Sequence, residues 1–155
     1  MAQLHWVLKP FNELTPHELY FIMQLRSEVF VVEQNCIYQD ADNKDLKAYH
    51  LMGFNNEGQL MAYTRLLPAG VSYKEPSIGR VVTHADVRRT GAGKELMQQS
   101  IQTCYTLFGK LDIKIGAQLY LLKFYNGLGF VQSGEVYLED GIEHIEMILN
   151  YKMNE

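Results

Sequence analysis

The chain contains little cysteine: two residues, Cys36 and Cys104, among 155. Two cysteines are too few for a disulfide framework, and their wide separation does not match the close ligand spacing of a zinc site. The sequence therefore argues against a disulfide-stapled secreted module and predicts no metal site, and a reducing cytoplasm is the simplest compartment. A domain of this length can fold without such cross-links, because it buries roughly 70% of the surface of its unfolded chain.

Long apolar runs and an excess of positive charge are also lacking. No basic stretch followed by an apolar core begins the chain, and no segment approaches the roughly 20 apolar residues that cross a bilayer. With 14 Lys and Arg against 18 Asp and Glu, the net charge of −4 argues against a nucleic-acid-binding surface. We therefore expect a soluble cytoplasmic protein with one domain over residues 1–155, which binds neither membrane nor nucleic acid.

Hydrophobic periodicity predicts alternating strands and helices. Thr15-Pro16-His17-Glu18 is a capping box with proline at the first helical position, and helically spaced apolar residues follow it. Hairpin signals lie at Asn56-Glu57-Gly58 and at Asp140-Gly141. The predicted order is β-α-β-β-β-α-β-α-β-β, in which the strand–helix–strand unit gives a parallel pair and the hairpins give antiparallel pairs. This order predicts an α/β fold with a mixed sheet and helices on its faces.

The most informative segment is a glycine-rich loop, Arg88–Lys94, between the strand Ile78–Thr83 and a long helix. The free amides and the positive dipole end of a helix N-terminus favour a phosphate group, and glycines let the backbone come close to it. The basic side chains of the loop are Arg88, Arg89 and Lys94. A P-loop would need glycine at position 88, and a dinucleotide fingerprint would need it at position 96, so neither motif fits.

The run Arg88-x-x-Gly91-x-Gly93 after a strand resembles the acetyl-CoA motif of the GNAT acetyltransferases. The chain also resembles the next conserved block of that superfamily, at Ala117-Gln118, Phe124-Tyr125 and Gly129-Phe130. The segments Arg26–Gln34 and Glu139–Met147 are similar to the ElaA-like group in particular. The resemblance covers nearly the whole chain, and several motifs in the family's order are far more specific than any one of them.

The resemblance implies the GNAT fold, a splayed mixed sheet of six to seven strands flanked by about four helices. It also implies acetyl-CoA as the acyl donor, with no metal. The pantetheine arm would lie between two diverging parallel strands, and the pyrophosphate would lie on the glycine-rich loop. The implied cofactor-binding residues are Val81, Val82, Thr83, Arg88, Arg89, Thr90, Gly91, Ala92, Gly93, Lys94 and Phe124.

Acyl transfer to an amine requires that a proton leave the amine and that the departing thiolate be protonated. Tyr125 matches the tyrosine of the family block and is the candidate acid. Glu33 follows an apolar run at the end of the first long helix and is the candidate base. His144 on the final hairpin is a candidate acceptor-binding residue.

Arg26 lies in the apolar stripe of the first helix, and it is the second candidate for binding the acceptor. A charge in such a stripe must be paired or must face a site, because burying it alone is costly. A buried ion pair with Glu33, or with an aspartate of the loop at 40–45, therefore remains open beside the acceptor-binding role.

The predicted function is transfer of an acetyl group from acetyl-CoA to a primary amine of a small molecule or peptide, by direct attack in a ternary complex. One alternative is an acyl-homoserine-lactone synthase, since those enzymes share the fold and an Arg-x-x-x-Phe element like Arg26–Phe30. Another is a CoA-binding sensor without turnover. No motif identifies the amine, and a homodimer is allowed because family members are often dimers.

Overall fold

The computed structural model describes residues 3–151, and that part of the chain forms seven strands and three α-helices. The strands are β1 (His5–Pro10), β2 (Tyr49–Phe54), β3 (Leu60–Leu67), β4 (Ser77–Thr83), β5 (Ile113–Gln118), β6 (Val131–Glu139) and β7 (Ile142–Leu149). The helices are α1 (Pro16–Arg26), α2 (Ala92–Phe108) and α3 (Leu122–Gly127). The order of strands and helices confirms the one predicted from hydrophobic periodicity.

The predicted capping box begins α1. The Thr15 hydroxyl accepts from the Glu18 amide, and the Glu18 carboxylate accepts from the Thr15 amide, which satisfies two helix-end donors. After Arg26 the helix widens into a π-helical turn, Ser27–Glu33, in which amides bond to carbonyls five residues earlier. The described residues therefore form three α-helices and one π-helical turn, whereas the resemblance implied about four helices.

All seven strands form one sheet in the order β1-β2-β3-β4-β5-β7-β6. Its only parallel neighbours within residues 3–151 are β4 and β5, and the other pairs are antiparallel. Apolar side chains of α1 pack with Met52 and Tyr63, whereas those of α2 pack with Leu51 and Ala62. Adjacent strand residues point to opposite faces, so the two helices cover opposite faces of the sheet.

The parallel strands β4 and β5 diverge almost as soon as they meet. Their backbone register contains one pair, Ser77 with Lys114, whereas β5 pairs with β7 along its whole length. Arg80, in the middle of β4, has a φ of +49°, which is rare for a residue other than glycine. The register of β3 against β4 shifts opposite it, between Tyr63 and Arg65. This bulge bends β4 away from β5 and leaves a gap between them.

Candidate active site

A cleft of about 700 Å³ lies in the gap between β4 and β5. Its walls come from β4, from the end of β5 with α3, from the π-helical turn and from the β6–β7 hairpin. Val82 and Thr83 pair with β3 on one side. On the β5 side, no strand in the described part of the chain pairs with β4 beyond Ser77. The edge of β4 therefore presents backbone donors and acceptors to whatever occupies the cleft.

The N-terminus of α2 meets one end of this cleft. Gly91 precedes the helix with a φ of +87°, and no side chain among residues 3–151 caps the first turn. The leading amides of α2 are thus left for a ligand or for water. Arg88 lines the cleft beside them and is exposed, and Arg89 is exposed on the same loop. A helix end with free amides and neighbouring guanidinium groups fits a phosphate.

The predicted cofactor-binding residues fall into two sets. The cleft is lined by Val81, Val82, Thr83, Arg88, Gly93 and Phe124. The residues that form the adjoining loop and first helical turn, outside that lining, are Arg89, Thr90, Gly91, Ala92 and Lys94. Lys94 lines a separate pocket along α2. The structure therefore brings both strand and loop residues to one end of the cleft but places the Lys94 side chain elsewhere.

Tyr125 lies on α3 in the wall of the cleft and is 4% exposed. Its ring makes edge contacts with Phe124 and Phe130, at centroid distances of 5.1 and 5.9 Å. Burial raises the pKa of the Tyr125 hydroxyl well above its ordinary value, so the group keeps its proton at neutral pH. Among residues 3–151 the hydroxyl has no hydrogen-bond partner, which leaves it free to donate to a ligand.

Glu33 reaches the cleft at the end of the π-helical turn, but its carboxylate is already engaged. The two terminal guanidinium nitrogens of Arg88 donate to it, one of them at 3.0 Å. Hydrogen bonding to Glu33 raises the pKa of Arg88. The carboxylate would have to leave Arg88 before it could accept a proton, and the role of Glu33 as base stays a prediction.

His144 lines the cleft from β7, and its side chain is 9% exposed. Nδ1 lies 2.8 Å from the Ile142 carbonyl oxygen, and Nε2 lies 3.6 Å from a carboxylate oxygen of Glu139. The imidazole also stacks on Tyr137, with ring centroids 5.6 Å apart. The structure thus brings His144 to the cleft as predicted and holds it there by three contacts.

Arg26 belongs to a closed ring of alternating charges. Its members, in order, are Arg26, Asp45, Arg65, Asp42, Arg80 and Asp40. Each arginine bridges two aspartates, at N–O distances of 2.7 to 3.4 Å. The ring ties the loop at 40–45 to α1, β3 and β4, so its main effect is to hold one wall of the cleft in place.

The ring corrects the predicted acceptor-binding role of Arg26. Its side chain is 0% exposed and does not line the cleft, so an acceptor cannot reach it. The alternative interpretation, a buried ion pair, is confirmed, and the partners are Asp40 and Asp45. Glu33 is not a partner, because its carboxylate is turned towards Arg88.

Several residues that line the cleft were not predicted from the sequence. On the side away from α2, the cleft is also lined by Tyr38, Asp42, Lys44, Arg65, Tyr73 and Tyr137. Gly116 shows how tightly the tyrosines close over β5: a Cβ there would lie 2.5 Å from the Tyr137 hydroxyl and 3.0 Å from that of Tyr73. The Asp-rich composition of the 40–45 loop was the only local signal, and it did not distinguish a solvated loop from a wall.

A model of the acetyltransferase (GNAT) domain family matches residues 15–151. The chain belongs to the GNAT acetyltransferases. Within that family it belongs to the ElaA-like group. It is 40% identical to Protein ElaA of Escherichia coli, over 93% of this chain and 95% of that protein. It is also 43% identical to a UPF0039 protein of Schizosaccharomyces pombe, over 96% of this chain and 99% of that protein.

A solved structure supports the fold of this GNAT protein. A crystal structure of an acyl-CoA N-acyltransferase from Pseudomonas aeruginosa is 44% identical, with a TM-score of 0.87, and covers 94% of this chain and 99% of that chain. The predicted fold and family are thus confirmed, and the chain belongs to a family of acyltransferases. Within residues 3–151, no helix is long and apolar enough to span a bilayer.

Proposed function

We propose that this GNAT protein transfers the acetyl group of acetyl-CoA to a primary amine of a small molecule or peptide. The observation that carries the proposal is the unpaired edge of β4, which runs from the α2 amides at one end of the cleft past Tyr125. A long donor with two amide groups and a pyrophosphate matches this arrangement. The backbone edge suits the amides, and the helix end with Arg88 suits the phosphates.

Both substrates are proposed to lie in the cleft together. The amine nitrogen attacks the thioester carbon, the C–N bond forms, and the C–S bond breaks as the thiolate departs. Backbone amides near Val82, on the unpaired edge, would stabilise the charge that develops on the carbonyl oxygen. Tyr125 would donate its proton to the sulfur, since its hydroxyl remains protonated and lines the cleft.

Thiol release from acetyl-CoA tests the proposal against a panel of polyamines, amino acids, aminoglycosides, amino sugars and peptides with free N-termini. We expect at least one amine to give release far above the rate of acetyl-CoA hydrolysis, with an acetylated product seen by mass spectrometry. Binding of acetyl-CoA with no release on any amine would instead favour a sensor without turnover. A protein that releases thiol only with longer acyl-CoA donors would contradict the acetyl assignment.

A further inference from the structure

The acceptor side of the cleft must contain a group that removes a proton from the amine. An alkylamine has a pKa of roughly 10.4, so only about one molecule in a thousand carries a free lone pair at neutral pH. Glu33 is tied to Arg88, and both of its carboxylate oxygens accept hydrogen bonds. Besides Glu33, the cleft is lined by the carboxylates of Asp42, Glu139 and Asp140 and by the imidazole of His144. Asp42 belongs to the charge ring, and the two hairpin carboxylates are exposed to solvent. The imidazole of His144 is buried at the cleft wall, and this type of side chain suits the task.

We propose that His144 is the general base of the acetyl transfer, with Nε2 as the accepting atom. This inference rests on the proposed function. A carbonyl oxygen can only accept, so the Nδ1 that lies 2.8 Å from the Ile142 oxygen carries the ring proton. In the neutral ring Nε2 is then the lone-pair atom, and the backbone bond fixes that tautomer. The stack on Tyr137 restricts rotation of the ring.

Glu139 completes the arrangement. Its carboxylate lies 3.6 Å from Nε2, where it would stabilise the imidazolium formed once the proton arrives. The Glu139 side chain is 56% exposed, so it also links Nε2 to bulk water. The cross-strand neighbours of His144 are Tyr137 on β6 and Gln118 on β5. Burial raises the pKa of Tyr137, and the negative charge of Glu139 raises it further, so Tyr137 keeps its own proton. Gln118 is uncharged. Neither side chain therefore competes with His144 for the proton of the amine.

The step is balanced without a further reactant. Nε2 first takes a proton from the bound ammonium, which frees the nitrogen lone pair, and His144 becomes an imidazolium facing Glu139. The amine then attacks, and once the C–N bond has formed the adduct releases its second N–H proton to water in the cleft. As the C–S bond breaks, the thiolate takes the proton of Tyr125, which regains one from that water. The imidazolium loses its proton to bulk water past the exposed carboxylate of Glu139, so the net products are the amide, the free thiol and one proton.

Nitrogen-15 NMR of the histidine rings tests the geometry without any acceptor. The chain contains five histidines, and the signal lost in His144→Gln identifies the ring in question. We expect a neutral tautomer protonated at Nδ1, because the Ile142 carbonyl oxygen can only accept a hydrogen bond. A neutral ring protonated at Nε2 overturns the proposal.

Steady-state kinetics distinguish a general base at His144 from a residue that only positions the acceptor. With the amine found in the acceptor panel, His144→Gln should lower kcat by roughly 10²–10⁴-fold and leave acetyl-CoA affinity nearly unchanged. The loss should shrink with an alkoxyamine of similar shape, which is mostly unprotonated at neutral pH. His17→Gln, on the exposed surface of α1, is the matched control and should keep the wild-type rate.

The outcomes distinguish this inference from the proposed function. An active wild type together with a full-rate His144→Gln variant overturns the role of His144 alone. Equal losses with the amine and the alkoxyamine show that His144 only positions the acceptor, and this also overturns the inference. A wild type that releases no thiol with any amine overturns the proposed function, and the inference falls with it.

Discussion

Tyr125, the proposed acid of the transfer, lies in surroundings that suit this role. Its ring is packed between Phe124 and Phe130, and its hydroxyl faces the cleft without a partner among residues 3–151. Burial raises its pKa well above the ordinary value. The hydroxyl therefore keeps its proton at neutral pH, as the proposed transfer of that proton to a departing thiolate requires.

Replacing Tyr125 by phenylalanine isolates that hydroxyl. Tyr125→Phe keeps the ring and its aromatic contacts, so we expect an unchanged melting temperature and acetyl-CoA affinity. The maximal rate should fall by roughly 10²–10⁴-fold, because the proton is needed only as sulfur leaves. An acyl donor whose thiol has a much lower pKa should recover part of the loss. Equal slowing with both donors would show that the hydroxyl positions the thioester and does not protonate it.

Among the larger elements, the charge ring and the β4 bulge act together. Arg80 is at once the bulged residue of β4 and a member of the ring, and it donates to Asp40 at 2.7 Å. A positive φ in a residue other than glycine costs roughly 1–2 kcal/mol. The contacts with the ring hold the residue in that conformation, and the conformation in turn bends β4 away from β5.

A pair of substitutions separates the backbone of Arg80 from its charge. Arg80→Gly and Arg80→Ala both remove the ion pairs, but only glycine adopts a positive φ without strain. We expect acetyl-CoA to bind more weakly to Arg80→Ala than to Arg80→Gly, since alanine would tend to close the bulge. Denaturant midpoints should show the same order. Equal affinities for the two variants would mean that the bulge does not shape the cleft.

A substitution at Asp45 tests how much the charge ring contributes to the free energy of unfolding. Asp45→Asn leaves the buried Arg26 and Arg65 without part of their compensating charge, which should destabilise the fold by about 3–5 kcal/mol. Asp86→Asn is the matched control, because the Asp86 side chain is 77% exposed. Urea unfolding at neutral pH measures both. A loss for Asp45→Asn no larger than for the control would show that the ring contributes little.

The same carboxylates give a pH dependence of defined sign. Burial alone would raise the pKa of Asp45 and Asp42, but hydrogen bonds and charge from the arginines outweigh it and lower both. Their stabilisation is complete above the unfolded pKa of about 3.9 and is lost as pH falls towards the lower folded values. Below about pH 4, Asp45→Asn should therefore lose less stability than the wild type. If Asp45→Asn lost stability as steeply as the wild type below about pH 4, the expected role of Asp45 in the pH dependence would be wrong.

Across the whole molecule, local patterns predicted the order of strands and helices, the helix start at Thr15 and the loop before α2. They did not predict which charges meet. Glu33 lies seven residues after Arg26, which is two turns of an α-helix and would place both on one face. The π-helical turn breaks that spacing, and Glu33 pairs with Arg88 instead. Glu33 and Arg88 lie 55 residues apart in the sequence, and only tertiary packing brings them together.

In the proposed complex, the end of α2 with Arg88 binds the phosphates of the acyl donor, and the open edge of β4 binds its pantetheine arm. Titration calorimetry of the wild type with acetyl-CoA, beside acetyl-pantetheine, which lacks the phosphates, tests this most directly. We expect acetyl-CoA to bind at least about tenfold more tightly, a difference of roughly 1.4 kcal/mol or more. Equal affinity for the two donors, or no binding of acetyl-CoA, would contradict this mode of binding.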